Sequence, residues 1–469
     1  MNTPQKVIIV GNGYMPYLIA LCIQKRFALE LVIVDLGESS QPELIRSLGS
    51  MKDFHSHLSL PEADFVKTTK AEINLGFEYS GFHMSSGFAN TPTNELFCDA
   101  QYGFNLNGRR FHHLFNKLGQ VQSDEKLEDY CLSSRLARSS RFTPPSPNPK
   151  SLYASVRYGY RLSSEAYAAF LKSKLSSLNT TIVFSTVDSV RLDHHGFVES
   201  IDASQYGNIK GDFFIDASES RLIRRPINKT CTLHSQVPQN LGLEASSSIN
   251  QAGAALPYSG ISANQGALHL DGTYLKQNHR TSLTIKNNSD NTSSTTRRFV
   301  DSVPWLKNCV AMGHAVTNRL PILIDNSHLH QSMALRLLEL WPRSITMEKE
   351  AQAYNANTQV EFKHTTDMDM LHLALAFNRP EILSDEMRYK LEIFKQSGKV
   401  AYYEKELLQE EQWPVLFNAL GVVPRSTDLS VRNCTDEWLK QELFRIKSTM
   451  EKAAEAAPSY QDFIRTAHR

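Results

Sequence analysis

An α/β fold (α+β overall) is predicted by three features of this 469-residue sequence. The chain opens on a strand, glycine turn, helix and second strand. Its middle carries short strand-like runs joined by turns. Its last quarter is mostly of helical period. These features divide the chain into residues 1–345, with a β-rich insertion over about 80–300, and a helical region over 346–469.

The opening unit runs from Lys6 to Asp35. Lys6-Val7-Ile8-Ile9-Val10 is nearly all apolar, as in a strand buried on both faces. Gly11-Asn12-Gly13 follows, then a helical segment from about Met15 to Phe27 with Leu18, Leu21, Cys22 and Phe27 at helix-face spacing. A second apolar run, Leu29 to Val34, closes on Asp35. This layout is that of a Rossmann-type FAD/NAD(P)-binding domain. Glycines let backbone amides approach a pyrophosphate at the helix N-terminus, and the terminal acid can accept ribose hydroxyls. Alternatively, the turn is only a tight strand–helix connection. The third glycine of the fingerprint is replaced by Pro16, which a first helical turn tolerates because its missing N–H has no intrahelical partner there.

Beyond Asp35, residues 36–42 read as a loop, Glu43 to Leu58 as a helix and Ser59 to Phe65 as a cap into a short helix. Glu72 to Phe82 reads as a strand. Residues 83–150 read as irregular, with Thr143-Pro144-Pro145-Ser146-Pro147-Asn148-Pro149 a turn-rich connector. Tyr158 to Leu162 is strand-like, and Ser163 or Ser164 can cap a helix from Glu165 to Leu178. Thr181 to Phe184, Val187 to Leu192 and Phe197 to Ala203 are strand-like runs joined by short turns, one of them His194-His195-Gly196. Lys210 to Ser218 is a buried strand ending in Asp216. That acid either faces a ligand or caps its own turn. Gln265 to Leu270 and Thr281 to Ile285 are further strands, and Asn287 to Thr296 is an exposed loop on composition. Trp305 to Gly313 reads as one more buried strand. Helices follow at Ser327 to Leu340, Glu361 to Phe377 and Asp436 to Ala456.

Charge excludes some classes. With 50 Lys+Arg against 49 Asp+Glu, no global field favours nucleic acid or a membrane surface. The six cysteines include no CxxC pair, so neither a zinc ribbon nor a redox motif is expected, and Cys22 and Cys309 read as buried thiols. His55/His57 and His328/His330 are i, i+2 pairs that point to different helix faces, so no metal site is expected. No apolar run approaches a membrane span, and the fold beginning by residue 6 leaves no room for a signal peptide. The expectation is a soluble, cytoplasmic protein.

The order of motifs carries a resemblance. It rests on Val10-Gly11-Asn12-Gly13, Leu60-Pro61-Glu62-Ala63-Asp64-Phe65, Ile73-Asn74-Leu75-Gly76 and Tyr158-Gly159-Tyr160-Arg161-Leu162. It continues through Gly211-Asp212-Phe213-Phe214-Ile215-Asp216-Ala217-Ser218 and Asn308-Cys309-Val310-Ala311-Met312-Gly313-His314-Ala315 with Pro321, then Trp341-Pro342, Leu371-His372 and Arg379. Over almost its whole length the chain resembles the flavin-dependent tryptophan halogenase family, a branch of the FAD-dependent monooxygenases. The resemblance implies FAD as cofactor, with Gly11, Gly13, Asp35, Asp216, Gly313 and Pro321 as its contacts. It implies a flavin reductase supplying FADH2, and a small aromatic or peptide-borne substrate met by the helical C-terminal region. In that family hypohalous acid travels to a lysine beside a glutamate.

Here the resemblance places Asn74 at the lysine position and Leu323 at the glutamate position, so no catalytic residue is assigned. Ala252 and Ala254 stand for the family's paired tryptophans, and Gly313-His314-Ala315 for its Gly-Asp-Ala. The family's Gly-Glu step falls on Gly37-Glu38 or, by spacing, on Glu43-Leu44. Two functions follow: an FAD-dependent monooxygenase without lysine-directed halogenation, or a non-catalytic descendant serving as a binding module.

Overall fold

The computed structural model describes residues 3–39, 43–83, 92–121, 125–176, 179–227, 233–235, 242–251, 255–264, 266–286, 299–319, 321–344 and 348–469. In chain order the first elements are β1 Lys6–Gly11, α1 Met15–Arg26, β2 Glu30–Asp35, β3 Leu44–Arg46, α2 Ser50–His57, α3 Glu62–Thr69, β4 Glu72–Asn74, β5 Phe77–His83 and β6 Pro92–Phe97. Next come α4 Phe111–Val121, α5 Leu132–Arg138, β7 Gly159–Ser163, α6 Ser164–Lys174, β8 Thr180–Phe184, β9 Val187–Leu192, β10 Val198–Ala203, β11 Gly207–Lys210 and β12 Phe213–Ala217. After α7 Arg224–Ile227 follow β13 Leu233–Ser235, β14 Gly242–Gln251, β15 Ser259–Asn264, β16 Ala267–Tyr274, β17 Gln277–Lys286, β18 Phe299–Asp301, β19 Trp305–Leu306 and β20 Cys309–Ala311. The last helices are α8 Asn326–Glu339, α9 Glu348–Ala376, α10 Asp385–Ser397, α11 Gln412–Ala419, α12 Asp436–Ala456 and α13 Tyr460–Ala467. The predicted α/β architecture, α+β overall, is the one observed.

The organising sheet has the order β19-β20-β12-β1-β2-β8. Its strands are parallel except for the β19–β20 pair. β1 pairs with β12 on one side and β2 on the other, which sets Gly11 beside both Ala217 and Asp35 at the carboxyl edge. That edge is where ligands enter open parallel sheets. One face of β1 (Val7, Ile9) packs into the large core with α1 and α8. The other face (Ile8, Val10) packs with Val32, Val34 and Phe214. The all-apolar run of the opening strand is thus used on both sides.

A second six-stranded sheet, β14-β17-β16-β15-β5-β6, forms the β-rich portion, and the small sheet β3-β7-β4 bridges to it. Four boundaries differ from the sequence expectation. Residues 43–58 are not one helix: Leu44–Arg46 pairs antiparallel with β7, and a helix starts only after Gly49. The strand expected over 72–82 breaks at Leu75-Gly76, because Leu75 N–H donates to the Pro257 carbonyl at 2.7 Å. Residues 83–150 contain β6, α4 and α5. The α4 face of Phe111, Leu114, Phe115 and Leu118 is buried at true helical spacing. The 305–313 strand is a two-strand hairpin whose turn residue Lys307 has φ +54°. Residues 252–254 and 287–298, which include Ala252, Ala254 and the expected Asn/Ser loop, lie outside the described residues.

Candidate functional site

The carboxyl edge of the main sheet gathers the glycine turn, Asp35, Asp216 and Gly313. Gly11 has no room for a side chain: a Cβ there would lie 2.6 Å from the Ala217 carbonyl oxygen, so it permits close strand packing. Gly13 adopts φ +65°, which favours glycine. Its N–H donates to the Gly37 carbonyl at 3.1 Å. The following residues bring further cover. Asn12 Nδ2 donates to the Glu38 carbonyl at 3.5 Å, Asn12 Oδ1 accepts from Glu219 N–H at 3.5 Å, and Ser39 Oγ donates to Glu219 Oε1 at 2.5 Å. Segment 37–39 therefore lies across the glycine turn and holds a carboxylate beside it.

Asp35 accepts from Tyr17 Oη and, at 2.9 Å, from Gly37 N–H. Asp216 is fully buried and takes four donors from its own loop: Ser218 N–H at 3.0 Å, Ser218 Oγ at 2.5 Å, Ile223 N–H at 2.9 Å and Arg224 N–H at 2.8 Å. These are the donors of a turn cap, and they work against the burial that still leaves its carboxyl raised. Gly313 has φ +61°, and a Cβ there would lie 3.0 Å from Met15 Cγ. Behind the turn, Tyr14 Oη and His330 Nδ1 are 2.6 Å apart, and the His330 ring meets that of His314 edge-on at 5.6 Å. Burial pushes both imidazoles down, toward their neutral forms; for His314 the Glu219 carboxylate opposes the shift.

A buried polar cluster sits at the start of α8. Asp325 caps the helix, accepting from His328 N–H at 3.2 Å, and the next residue, Asn326, donates from Nδ2 to Glu43 Oε2 at 3.0 Å. Burial, with the nearby Asp325 carboxylate adding to it, raises the Glu43 carboxyl to about 7. Arg46 Nη2 donates to the Pro321 carbonyl at 3.4 Å. Arg319 forms a bidentate pair with Asp369 (Nη2 to Oδ1 at 2.8 Å and to Oδ2 at 2.7 Å) and also donates to the Ile324 carbonyl at 2.6 Å. This clamps the 319–325 loop onto α9.

Within the cluster Glu43 Oε1, Arg46 Nη1 and Asn326 Oδ1 are buried with no protein partner. Such groups call for a ligand or water that both donates and accepts. A flavin ring edge has that character, so the residues fit the cofactor at the α8 end. At the glycine turn, segment 37–39 and the Glu219 carboxylate occupy the approach. Of the two alignments of the Gly-Glu step, the one on Glu43 places the acid in this cluster, while Glu38 borders the turn.

Asn74 and Leu323, the two positions that the resemblance sets at the family's lysine and glutamate, carry an amide and a hydrocarbon side chain. Asn74 is buried; its Nδ2 donates to the Ser47 carbonyl and its Oδ1 accepts from Ser259 Oγ, both at 3.1 Å, so it fastens β4 to its neighbours. Leu323 is buried and lines a pocket of about 40 Å³ together with Ser50, Asp99, Asp325 and His328. That pocket shares Ser50, Asp99 and Leu407 with a cavity of about 610 Å³, which is also lined by Tyr102, Phe111, Arg157 and Gln412. The larger volume falls in the range of small-molecule sites. Burial pushes the Asp99 carboxyl up, against the Arg157 guanidinium 3.5 Å away and the Gln412 amide that donates to it. Ser50, Asp99 and Arg157 were not marked out by sequence, and His328 only as half of an i, i+2 pair. Ser50 and His328 are 278 residues apart, and no local motif announces their meeting.

Among the described residues no group of three or more His, Cys, Asp or Glu side chains could hold a metal ion, and no helix is long and apolar enough to cross a membrane.

The family model described as tryptophan halogenase matches residues 6–266 and 274–436. A tryptophan 6-halogenase, SttH from Streptomyces toxytricini, is 24% identical over 257 residues, 47% of this chain and 45% of that protein. A 7-chloro-L-tryptophan 6-halogenase, KtzR from Kutzneria sp. (strain 744), is 23% identical over 245 residues, 46% of this chain and 44% of that protein. The aligned region thus spans less than half the length of these curated relatives. Among solved structures, the flavin-dependent halogenase BrvH from Brevundimonas sp. BAL3 superposes with a TM-score of 0.88 at 18% identity, covering 99% of both chains. Xcc4156, a flavin-dependent halogenase from Xanthomonas campestris, does so with a TM-score of 0.87 at 22% identity, again covering 99% of both. These likenesses establish the shared fold.

Proposed function

The chain belongs to the tryptophan halogenase family, and from that premise we propose that it is an FAD-dependent monooxygenase whose chemistry is not lysine-directed halogenation. The observation that carries this reading is the pair of positions above. The Asn74 amide is tied down on both its atoms, and Leu323 presents only hydrocarbon. Neither can hold an electrophilic halogen or move a proton.

FAD would be held by the Gly11/Gly13 turn, Asp35, Gly313 and the Pro321 loop, with Glu43, Arg46 and Asn326 toward its ring. Reduced by a partner flavin reductase, FAD would supply a two-electron oxidant there in the presence of oxygen. The chain's own residues do the rest. Arg46 keeps a positive charge in the cluster, and Glu43 can donate or accept a hydrogen bond near neutral pH. The neutral His314 and His330 rings add no charge behind the turn. The cavity of about 610 Å³ accepts a small aromatic substrate or one carried on a peptide, with Phe111 and Tyr102 offering ring faces and Arg157 and Asp99 polar anchors.

A second reading rests on one specific observation: the turn and its acid are satisfied by segment 37–39 and Tyr17 within the chain. That is also what a binding module descended from a flavoprotein would show.

Titration with oxidised and reduced FAD, followed by flavin absorbance and fluorescence, decides between them. Saturable binding is expected. Glu219→Gln should tighten it about three- to tenfold at low salt, because a carboxylate beside the phosphates is removed. Absence of saturable binding for both forms sinks the flavoenzyme reading and leaves the module. In a separate assay with FADH2, oxygen and bromide, no halogenated indole should form; clear product would show that another residue replaces the missing lysine.

A further inference from the structure

Where the large cavity meets the Leu323 pocket, three helices bring together groups that no local sequence signal links. Ser50, the first residue of α2, has its Oγ 3.1 Å from His328 Nδ1 on α8. The other ring nitrogen, His328 Nε2, faces Glu361 Oε1 on α9 at 4.0 Å, an ionic contact rather than a hydrogen bond. Each member is held in place. The His328 backbone N–H is bound by the capping Asp325. Glu361 is 8% exposed, with its second oxygen 2.7 Å from Arg336 Nη2, and Ser50 begins a helix that packs into the core through Met51 and Phe54. Ser50 lines both cavities and His328 lines the smaller, so both are reachable from the same space.

We propose that Ser50 is the nucleophile of an acyl-transfer site that takes carboxylic esters, with His328 as its base and Glu361 holding the imidazole. Serine, base and orienting acid form the arrangement by which an unactivated hydroxyl becomes reactive. The ring is used in the sense opposite to the usual one, with Nδ1 toward the serine, but either nitrogen of a neutral imidazole can accept a proton. As the Oγ–C bond forms, the Ser50 hydroxyl proton passes to His328 Nδ1. The imidazolium is stabilised by the Glu361 carboxylate, and the ester C–O bond breaks as the leaving alkoxide takes that proton back. Water then attacks the acyl-serine by the same route, giving acid and free serine, so the sum is ester plus water to acid plus alcohol, with no change of oxidation state. The Arg157 guanidinium is placed to polarise the carbonyl: its Nη2 lies 3.1 Å from where a Cβ on Gly49, the residue before Ser50, would be. This chemistry needs no flavin, so it stands or falls separately from the function proposed above.

The test is labelling of the full chain with a fluorophosphonate, read by intact-protein mass spectrometry and peptide mapping, alongside hydrolysis of p-nitrophenyl acetate. One adduct per chain is expected, on Ser50. His328→Ala should slow labelling at least about 100-fold, Glu361→Gln about tenfold, and Ser50→Ala should remove the adduct and the hydrolysis above background. Circular dichroism and melting of each variant establish that it is folded, and the wild-type result decides even where a variant is not. No adduct on Ser50, or labelling of folded His328→Ala at the wild-type rate, overturns the proposal. So does unchanged ester hydrolysis in Ser50→Ala.

Discussion

Glu43→Gln raises the stability of the protein at pH 8 by on the order of 3–4 kcal/mol. The Glu43 carboxyl is buried beside Asp325, with Arg46 and Arg319 only partly compensating, and is held at about 7 in the folded chain. In the unfolded chain it titrates near 4.3. Between these values the folded state binds the extra proton, so stability falls as pH rises through this window. The loss is complete above the folded value, and no such cost exists below the unfolded one. Glutamine keeps the shape and a hydrogen bond to Asn326 and removes the charge. Urea midpoints should coincide for the two proteins near pH 4 and separate progressively to pH 8, with the variant higher. A variant that melts below wild type at pH 8 would mean that Glu43 is ionised and paired in the fold.

Asp369→Asn acts in the opposite direction and costs about 3–5 kcal/mol. The Arg319–Asp369 pair is almost wholly buried (1% and 8% side-chain exposure) and bidentate. Removing its negative half strands a guanidinium away from water, and the loss comes from that uncompensated charge rather than from the attraction alone. Replacing both partners by hydrocarbon of similar size, Arg319→Met with Asp369→Leu, should recover most of the loss, and a double-mutant cycle on denaturation midpoints measures it. Because Asp369 Oδ1 also accepts from Ile322 N–H at 3.4 Å, the single variant should loosen the loop that carries Leu323 as well. Faster amide exchange over residues 321–324 would report it. A change below about 1 kcal/mol would show that the site is wetter than its exposure indicates.

How far the sequence led depended on whether a feature was local. The opening unit was legible because β1 and β2 are continuous apolar runs, and α12 was placed at its observed bounds, where Thr435 caps it. β12 was placed as a buried strand ending in an acid, while its seat beside β1 is set by pairing across more than 200 residues of sequence. Leu44–Arg46 was taken for helix because three residues are too few to show alternation, and what makes them a strand is β7, more than 100 residues away. α9 begins at Glu348, ahead of the expected Glu361, since its polar first half has no strong period of its own. At the site, the glycine turn announced itself but its cover did not. Glu219 reaches Ser39 across 180 residues of sequence, and nothing at either position signals the other. Ser50, Asp99 and His328 share a cavity only through tertiary packing.

Helix α9 carries a wider consequence. Along its 29 residues, Asn355 bonds both backbone groups of Trp305 at the sheet edge, Glu361 faces His328, Asp369 grips Arg319, and His372 meets Tyr79 Oη at 2.8 Å in the second sheet. At 1.5 Å per residue this is a rod of roughly 43 Å, on which those four stations keep fixed angular phase. The separate corners of the molecule are therefore indexed to one another like teeth on a single shaft. An insertion of one residue between Glu361 and Asp369 would rotate one half of these contacts by about 100° against the other. A substitution at one station changes one contact, whereas a change in the length of this shaft between the stations displaces several corners at once.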